Sequence, residues 1–227
     1  MRAMILAAGF GERMRPLTDS CPKPLLEVGG HALIEYHLHA LKKAGIADIV
    51  INHAHLGGMI ERHLGDGSKY GLSIVYSREG SPLETAGGIA NALPLLGDAP
   101  FLVINGDIWC DYPLKSIPQQ IEGLAHLILV DNPKHNPKGD FSLTDGYVSS
   151  ESEHHEDERL TFAGIGLYQP KLFEGISRGA RAALAPLLIS AMEEKQVTGE
   201  HYHGQWYDIG TPQRLSELDR KLNDQIS

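Results

Sequence analysis

The chain has 227 residues, of which 42% are hydrophobic and 22% charged, with 25 Gly and 13 Pro; this is long enough to bury a sizeable core and excludes disordered, collagen-like and disulfide-scaffold classes. Lys and Arg number 20 against 29 Asp and Glu, a formal net charge of −9, which excludes a nucleic-acid binder relying on a broad basic surface. The two cysteines, Cys21 and Cys110, cannot build a disulfide framework or a four-thiolate zinc site, and they read as ordinary thiols of a reducing cytoplasm.

In chain order, Ala3 to Ala7 is a short apolar run and predicts a buried strand. The start lacks a signal-peptide pattern and is expected to be mature structure. His31 to Ala44 carries Leu33, Ile34, Leu38 and Leu41 on one face and predicts a helix. The alternation continues with a strand over Ile49 to Asn52, a helix over Gly57 to Leu64, a strand over Leu72 to Tyr76, a helix over Thr85 to Leu93 and a strand over Phe101 to Ile104. Strands joined by helical crossovers imply a parallel sheet covered on both faces.

After Pro113 the pattern becomes mixed. Strands are expected over Leu124 to Val130 and Leu160 to Tyr168, with two short ones near Phe141 and Tyr147, then a helix over about Leu184 to Glu194. The last helix is well signalled: Thr211 caps it, Pro212 takes its first position, and Leu215, Leu218 and Leu222 recur at spacings of three and four. There is no internal repeat, and no apolar run approaches the roughly 18 residues of a membrane span. The fold class read from this order is α/β, a Rossmann-like three-layer arrangement around a mixed, mostly parallel sheet.

Two features invite a metal reading. The acidic stretch from Ser149 to Arg159 holds Glu151, Glu153, Glu156, Asp157 and Glu158 with His154 and His155, and reads as a solvated loop. Three His-x-His pairs occur, His37/His39, His53/His55 and His201/His203. On a strand such a pair shares a face, on a helix it does not, and zinc needs a further convergent ligand that the sequence does not supply.

The chemistry concentrates near the start. Gly9-Phe10-Gly11 directly after a strand lets backbone N–H groups approach an anion closely, because no Cβ intervenes. Arg2, Arg13, Arg15 and Lys23 outnumber Glu12 and Asp19 there, so an anionic ligand is expected to dock at this end. Two rival phosphate loops fail. The dinucleotide fingerprint breaks at Met14, with Pro16 interrupting the helix it requires, and no Gly-Lys pair exists for a P-loop. A long loop with two Arg and one Lys remains, suited to a triphosphate: Arg13 can fork onto two oxygens, and Lys23 acts as a point charge in its Pro22/Pro24 frame.

Leu6-Ala7-Ala8-Gly9-x-Gly11-x-Arg13, then Pro16-Leu17-Thr18 and Pro22-Lys23-Pro24, resembles the N-terminal signature of sugar-1-phosphate nucleotidylyltransferases. The resemblance runs on through Leu83 to Gly88, Asn105-Gly106-Asp107, Phe162 to Ile165 and Trp206 to Thr211, nearly the whole chain. It implies the nucleotide-diphospho-sugar transferase type of the fold, one domain over 1–227 with a nucleotide-binding half (1–112) and a sugar-binding half (113–227), and no β-helix extension. It implies an enzyme, with Leu6, Ala7, Gly9, Gly11, Glu12, Arg13 and Lys23 on the triphosphate and Glu79 and Thr85 beside the base. Arg13, Lys23 and Asp107 would be catalytic, and Asp107 and Asp208 would hold Mg²⁺, whose preference for hard oxygen suits them. Its substrates would be a nucleoside triphosphate and a sugar 1-phosphate; no nucleic acid, membrane or obligate protein partner is implied.

The sugar side departs from the family pattern. The Glu-Lys pair that many members carry is missing, Phe162 stands at the Asn position and Gly166 at the Tyr position. Asn105, Asp140, Ala163 and Gly164 are the expected sugar contacts. Gly166 and the missing pair are expected to leave room for a 3-O-lactyl group, which with whole-pattern similarity favours transfer of UMP from UTP to N-acetyl-α-muramate 1-phosphate, as in cell-wall recycling. The residues alone do not choose uracil over guanine. Guanylyl or thymidylyl transfer to mannose or glucose 1-phosphate is the alternative within the class, and a non-catalytic nucleotide-sugar sensing subunit the alternative outside it.

Overall fold

A computed structural model describes residues 1–150 and 159–224; the acidic stretch, apart from its two ends, lies outside the described residues. The strands are β1 (Arg2–Leu6), β2 (Glu27–Val28), β3 (His31–Ala32), β4 (Asp48–His53), β5 (Ser73–Arg78), β6 (Phe101–Asn105), β7 (Ile108–Cys110), β8 (Ala125–Val130), β9 (Phe141–Thr144), β10 (Tyr147–Ser149), β11 (Arg159–Tyr168), β12 (Val197–Tyr202) and β13 (Trp206–Asp208). The α-helices are α1 (Leu33–Lys43), α2 (Gly57–Leu64), α3 (Glu84–Leu96), α4 (Leu184–Glu193) and α5 (Pro212–Asp224). None is long and apolar enough to cross a membrane.

Nine strands form one sheet in the order β5-β4-β1-β6-β11-β8-β12-β10-β9, so both halves of the chain contribute to it. β5, β4, β1 and β6 are parallel neighbours, β11 runs against β6 and β8, and β12 is parallel to β8. Alternate residues of β1 face opposite layers: Ala3 and Ile5 join Ile34, Leu38 and Ile60 of α1 and α2, whereas Met4 joins Ile89 and Ala92 of α3 and Leu188 of α4. A third apolar cluster seats Leu218 and Leu222 of α5 against Val28 and Leu33.

Several elements differ from the sequence expectation. His31 and Ala32 pair with Val28 and Glu27 in a small hairpin, and α1 begins only at Leu33, where the Glu35 carboxylate accepts the Ala32 N–H at 3.0 Å. α3 runs through Pro94 to Leu96 because burial of Ala90, Ala92 and Leu96 outweighs the hydrogen bond that proline removes. β7, β12 and β13 were not predicted; they are short or rich in polar residues, and pairing to distant strands forms them. β11 carries an irregularity between Phe162 and Gly166, and its first residues also pair with β9, which curls the far side of the sheet. The two thiols are free, and burial pushes that of Cys110 up to about 12.

α1 separates its histidine pair as the helical period requires, with His37 buried and His39 exposed. Burial lowers the His37 pKa to about 4, against smaller opposing effects of the Asp107 charge and a hydrogen bond to the Ile108 backbone. Between pH 6.5 and 4 the unfolded chain binds a proton that the folded chain refuses, so stability falls with pH across that window, by about 3 kcal/mol in full. Urea unfolding near pH 7 and pH 4.5 is expected to show a smaller loss for His37→Asn than for the wild type; equal losses would remove His37 from the acid response.

Candidate active site

The carboxyl ends of β1, β4 and β6 open onto a cavity of about 590 Å³, where ligands bind in open α/β sheets. Of the residues expected at the nucleotide, Leu6, Ala7, Gly9, Gly11, Glu12, Arg13, Lys23, Glu79 and Thr85 all border it, together with Asn105 and Asp107. Asp140, Ala163, Gly164 and Asp208 do not.

The loop after β1 is held open by its own contacts. Gly11 has φ 66, and a Cβ there would meet Thr18 Cγ2 at 2.8 Å, so both backbone and space demand glycine. The Gly11 carbonyl accepts the Thr18 hydroxyl and the Met14 N–H, each at 2.8 Å. Arg13 is exposed, with its guanidinium against Gly210, and makes no hydrogen bond among the described residues.

Asn52 is a site residue that sequence reasoning missed. The Ala7 N–H donates to Asn52 Oδ1 at 2.9 Å, and Asn52 Nδ2 donates to Glu79 Oε1 at 2.7 Å. Glu79 Oε2 accepts the Leu83 N–H at 3.0 Å, so this buried carboxylate ties the ends of β1 and β4 to the loop before α3. Each oxygen keeps a further acceptor site for a base N–H. The clue to Asn52 was a polar residue closing an otherwise apolar strand. Glu84 follows in the left-handed region at φ 62 and pairs with Arg181 at 2.8 Å.

Lys23 and Asp107 meet directly. The Lys23 side chain is 10% exposed, and its Nζ donates to Asp107 Oδ2 at 2.7 Å, while Asp107 remains 42% exposed toward the cavity. β13 pairs antiparallel with β7, setting Asp208 opposite Ile108, and the Ile209 N–H donates to the Asp107 carbonyl at 2.9 Å. The two aspartates therefore sit on adjacent backbones, a hard-oxygen pair whose chemistry suits a dication. Asp208 is engaged by Arg214 from α5 and lies 3.1 Å from His135 Nε2. Nothing local in the sequence marked Arg214 or His135 as its partners.

On the sugar side the structure brings Asn105 and Gly164 together: Gly164 has φ 76, and a Cβ on it would meet Asn105 Nδ2 at 2.6 Å. The Ala163 carbonyl accepts the Trp206 indole N–H at 2.8 Å. Asp140 braces the β11 irregularity, accepting Asn136 Nδ2 at 3.0 Å on one oxygen and the Phe162 N–H at 2.8 Å on the other. One expectation is corrected. Gly166 opens no space in the sugar wall, because a Cβ there would meet the Tyr168 hydroxyl at 2.6 Å; that glycine makes room for Tyr168 in the core.

A family model described as nucleotidyl transferase matches residues 2–225. The chain is 54% identical over 225 residues to the N-acetylmuramate alpha-1-phosphate uridylyltransferase of Neisseria meningitidis serogroup B, covering 96% of each chain. It is 31% identical to the mannose-1-phosphate guanyltransferase of Hypocrea jecorina, over 100% of this chain and 68% of that protein. Among solved structures it resembles a Bacillus anthracis protein assigned as a glucose-1-phosphate thymidylyltransferase, with a TM-score of 0.86, 24% identity and coverage of 99% and 96%. It also resembles apo UDP-glucose pyrophosphorylase, with a TM-score of 0.78 and 18% identity over the whole of both chains.

Proposed function

The chain belongs to the nucleotidyl transferase family, and from that premise we propose that it transfers UMP from UTP to N-acetyl-α-muramate 1-phosphate, giving UDP-N-acetylmuramate and pyrophosphate. The observation that carries this reading is the 54% identity over 96% of the chain to the Neisseria uridylyltransferase, against 31% to the mannose-1-phosphate guanyltransferase. The reaction fits re-use of cell-wall sugar, and the scarcity of cysteine accords with a cytoplasmic location.

In the reaction a phosphate oxygen of the sugar 1-phosphate attacks the α-phosphorus of UTP in line. The new P–O bond forms as the bond to the β-phosphate breaks, and pyrophosphate leaves with the electron pair. The attacking oxygen is already anionic and needs no general base, so the protein acts by positioning and by neutralising charge. The backbone from Gly9 to Glu12 holds the triphosphate, Arg13 reaches the leaving pyrophosphate, and Lys23 exchanges the Asp107 carboxylate for an α-phosphate oxygen. Asp107 and Asp208 would hold Mg²⁺, which neutralises and orients the reacting phosphates when bound. The uracil N–H donates to the Glu79 carboxylate, which Asn52 and Leu83 hold still.

Residues 1–112 thus serve the nucleotide and 113–227 the sugar. Asn105 joins the two, with Gly164, the Ala163 backbone and, through the Phe162 N–H, Asp140 shaping the acceptor side. The missing Glu-Lys pair removes a fixed carboxylate that would repel the lactyl carboxylate. The test is kcat/KM for the 1-phosphates of N-acetylmuramate, N-acetylglucosamine, glucose and mannose, each with UTP and GTP. The muramate with UTP is expected to lead; a lead for mannose with GTP, or for glucose with either nucleotide, overturns the acceptor and leaves nucleotidyl transfer standing.

A further inference from the structure

Three side chains that nucleotidyl transfer does not use converge where β8 and β12 end side by side. The parallel register pairs Leu129 with His201 and Val130 with Tyr202, so its next step sets Asp131 opposite His203. His201 and His203 are two residues apart and share a face, and their ring centroids lie 3.9 Å apart at 49°. Asp131 Oδ1 is 2.8 Å from His201 Nε2, and one donor atom from each of the three residues lies within 4.8 Å of the others. A hydrogen bond accounts for Asp131 and His201. It leaves out His203, whose ring is tilted against that of His201 with no hydrogen bond of its own among the described residues.

We infer that Asp131, His201 and His203 form a binding site for a transition-metal dication of the zinc class. Donors around tetrahedral zinc, at bonds of 2.0–2.1 Å, stand about 3.3 Å apart. Side-chain rotation of Asp131, 78% exposed, and of the exposed His203 closes the remaining gap without disturbing the strand pairing. The exposure leaves a coordination position for water. Two imidazoles and one carboxylate favour Zn²⁺, Ni²⁺ or Cu²⁺ over Mg²⁺, whereas the oxygen-only pair Asp107 and Asp208 offers no imidazole and suits Mg²⁺. Excess Mg²⁺, which binds imidazole nitrogen poorly, therefore does not compete for this site.

Equilibrium dialysis of the full chain against Zn²⁺ in excess Mg²⁺ near neutral pH tests this, repeated on His203→Ala and Asp131→Asn. One Zn²⁺ per chain is expected for the wild type, with each variant at least about tenfold weaker, since even outer-shell partners of a metal commonly contribute about 10–100-fold. Co²⁺ is expected to give a visible ligand-field absorption in the wild type that both variants lose. Nucleotidyl transfer with Mg²⁺ is expected to be unchanged in both. Absence of bound Zn²⁺ in the wild type, or undiminished binding in both variants, which would place the ion among others of the twelve histidines, overturns the assignment.

Discussion

Asp107→Asn is expected to lower kcat by about 10² to 10³, the usual cost of losing a contact aimed at developing charge. The aspartate stands just beyond β6, with one oxygen on Lys23 at 2.7 Å and the side chain 42% exposed to the cavity. Asparagine preserves size and one acceptor, so the fold is expected to persist; circular dichroism and the unfolding midpoint check this. It removes the negative charge that a dication needs and leaves the Lys23 ammonium without its counter-charge. The rate is read as pyrophosphate release with UTP and the muramate phosphate over a range of Mg²⁺. Full activity of the variant, or full activity of the wild type with excess chelator, would remove Asp107 from metal binding.

Lys23→Ala is expected to fall on kcat by a similar factor, about 10² to 10³, and to move the KM for UTP much less. Lys23 is nearly buried between Pro22 and Pro24, so its ammonium is positioned before substrate arrives. A group held this way acts on charge that grows and shifts at the α-phosphate during displacement, which is where differential binding accelerates a reaction. A raised KM with unchanged kcat would make Lys23 a ground-state binding residue. Comparison with Lys23→Arg separates charge from geometry, because a guanidinium keeps the charge and cannot occupy the same narrow position.

Much of the architecture could be read locally. The apolar runs that became β1, β4, β5 and β6, and the periodic segments that became α1, α2 and α3, carry their signal within one element, since side-chain periods of 2 and 3.6 are set by the backbone. The glycine-rich loop at the cavity was legible for the same reason. Gly9, Gly11, Arg13 and Lys23 lie within fifteen residues, and the glycines follow a strand that delivers them to the cavity rim. Asn105 closes β6 and Asp107 follows it, on the side of the sheet where the parallel strands end.

What chain-distant partners do was not legible. Asn52 and Glu79 are bonded across 27 residues, Asp208 and His135 are neighbours only through α5 and the β13 pairing, and Asp131 meets His201 across 70 residues. Gly166 read as an opening in the sugar wall, and only the fold places the Tyr168 hydroxyl in that space. The His201/His203 pair, short of a further convergent residue in the sequence, meets Asp131 just beyond the neighbouring strand β8. The sequence by itself determined element type and singled out the glycine-rich, basic loop that lines the cavity, because these depend on conformational preferences and chemistry within a few residues. Tertiary structure alone decided strand order, register and the side-chain partners that follow from them, because each is set by burying apolar faces among segments far apart along the chain.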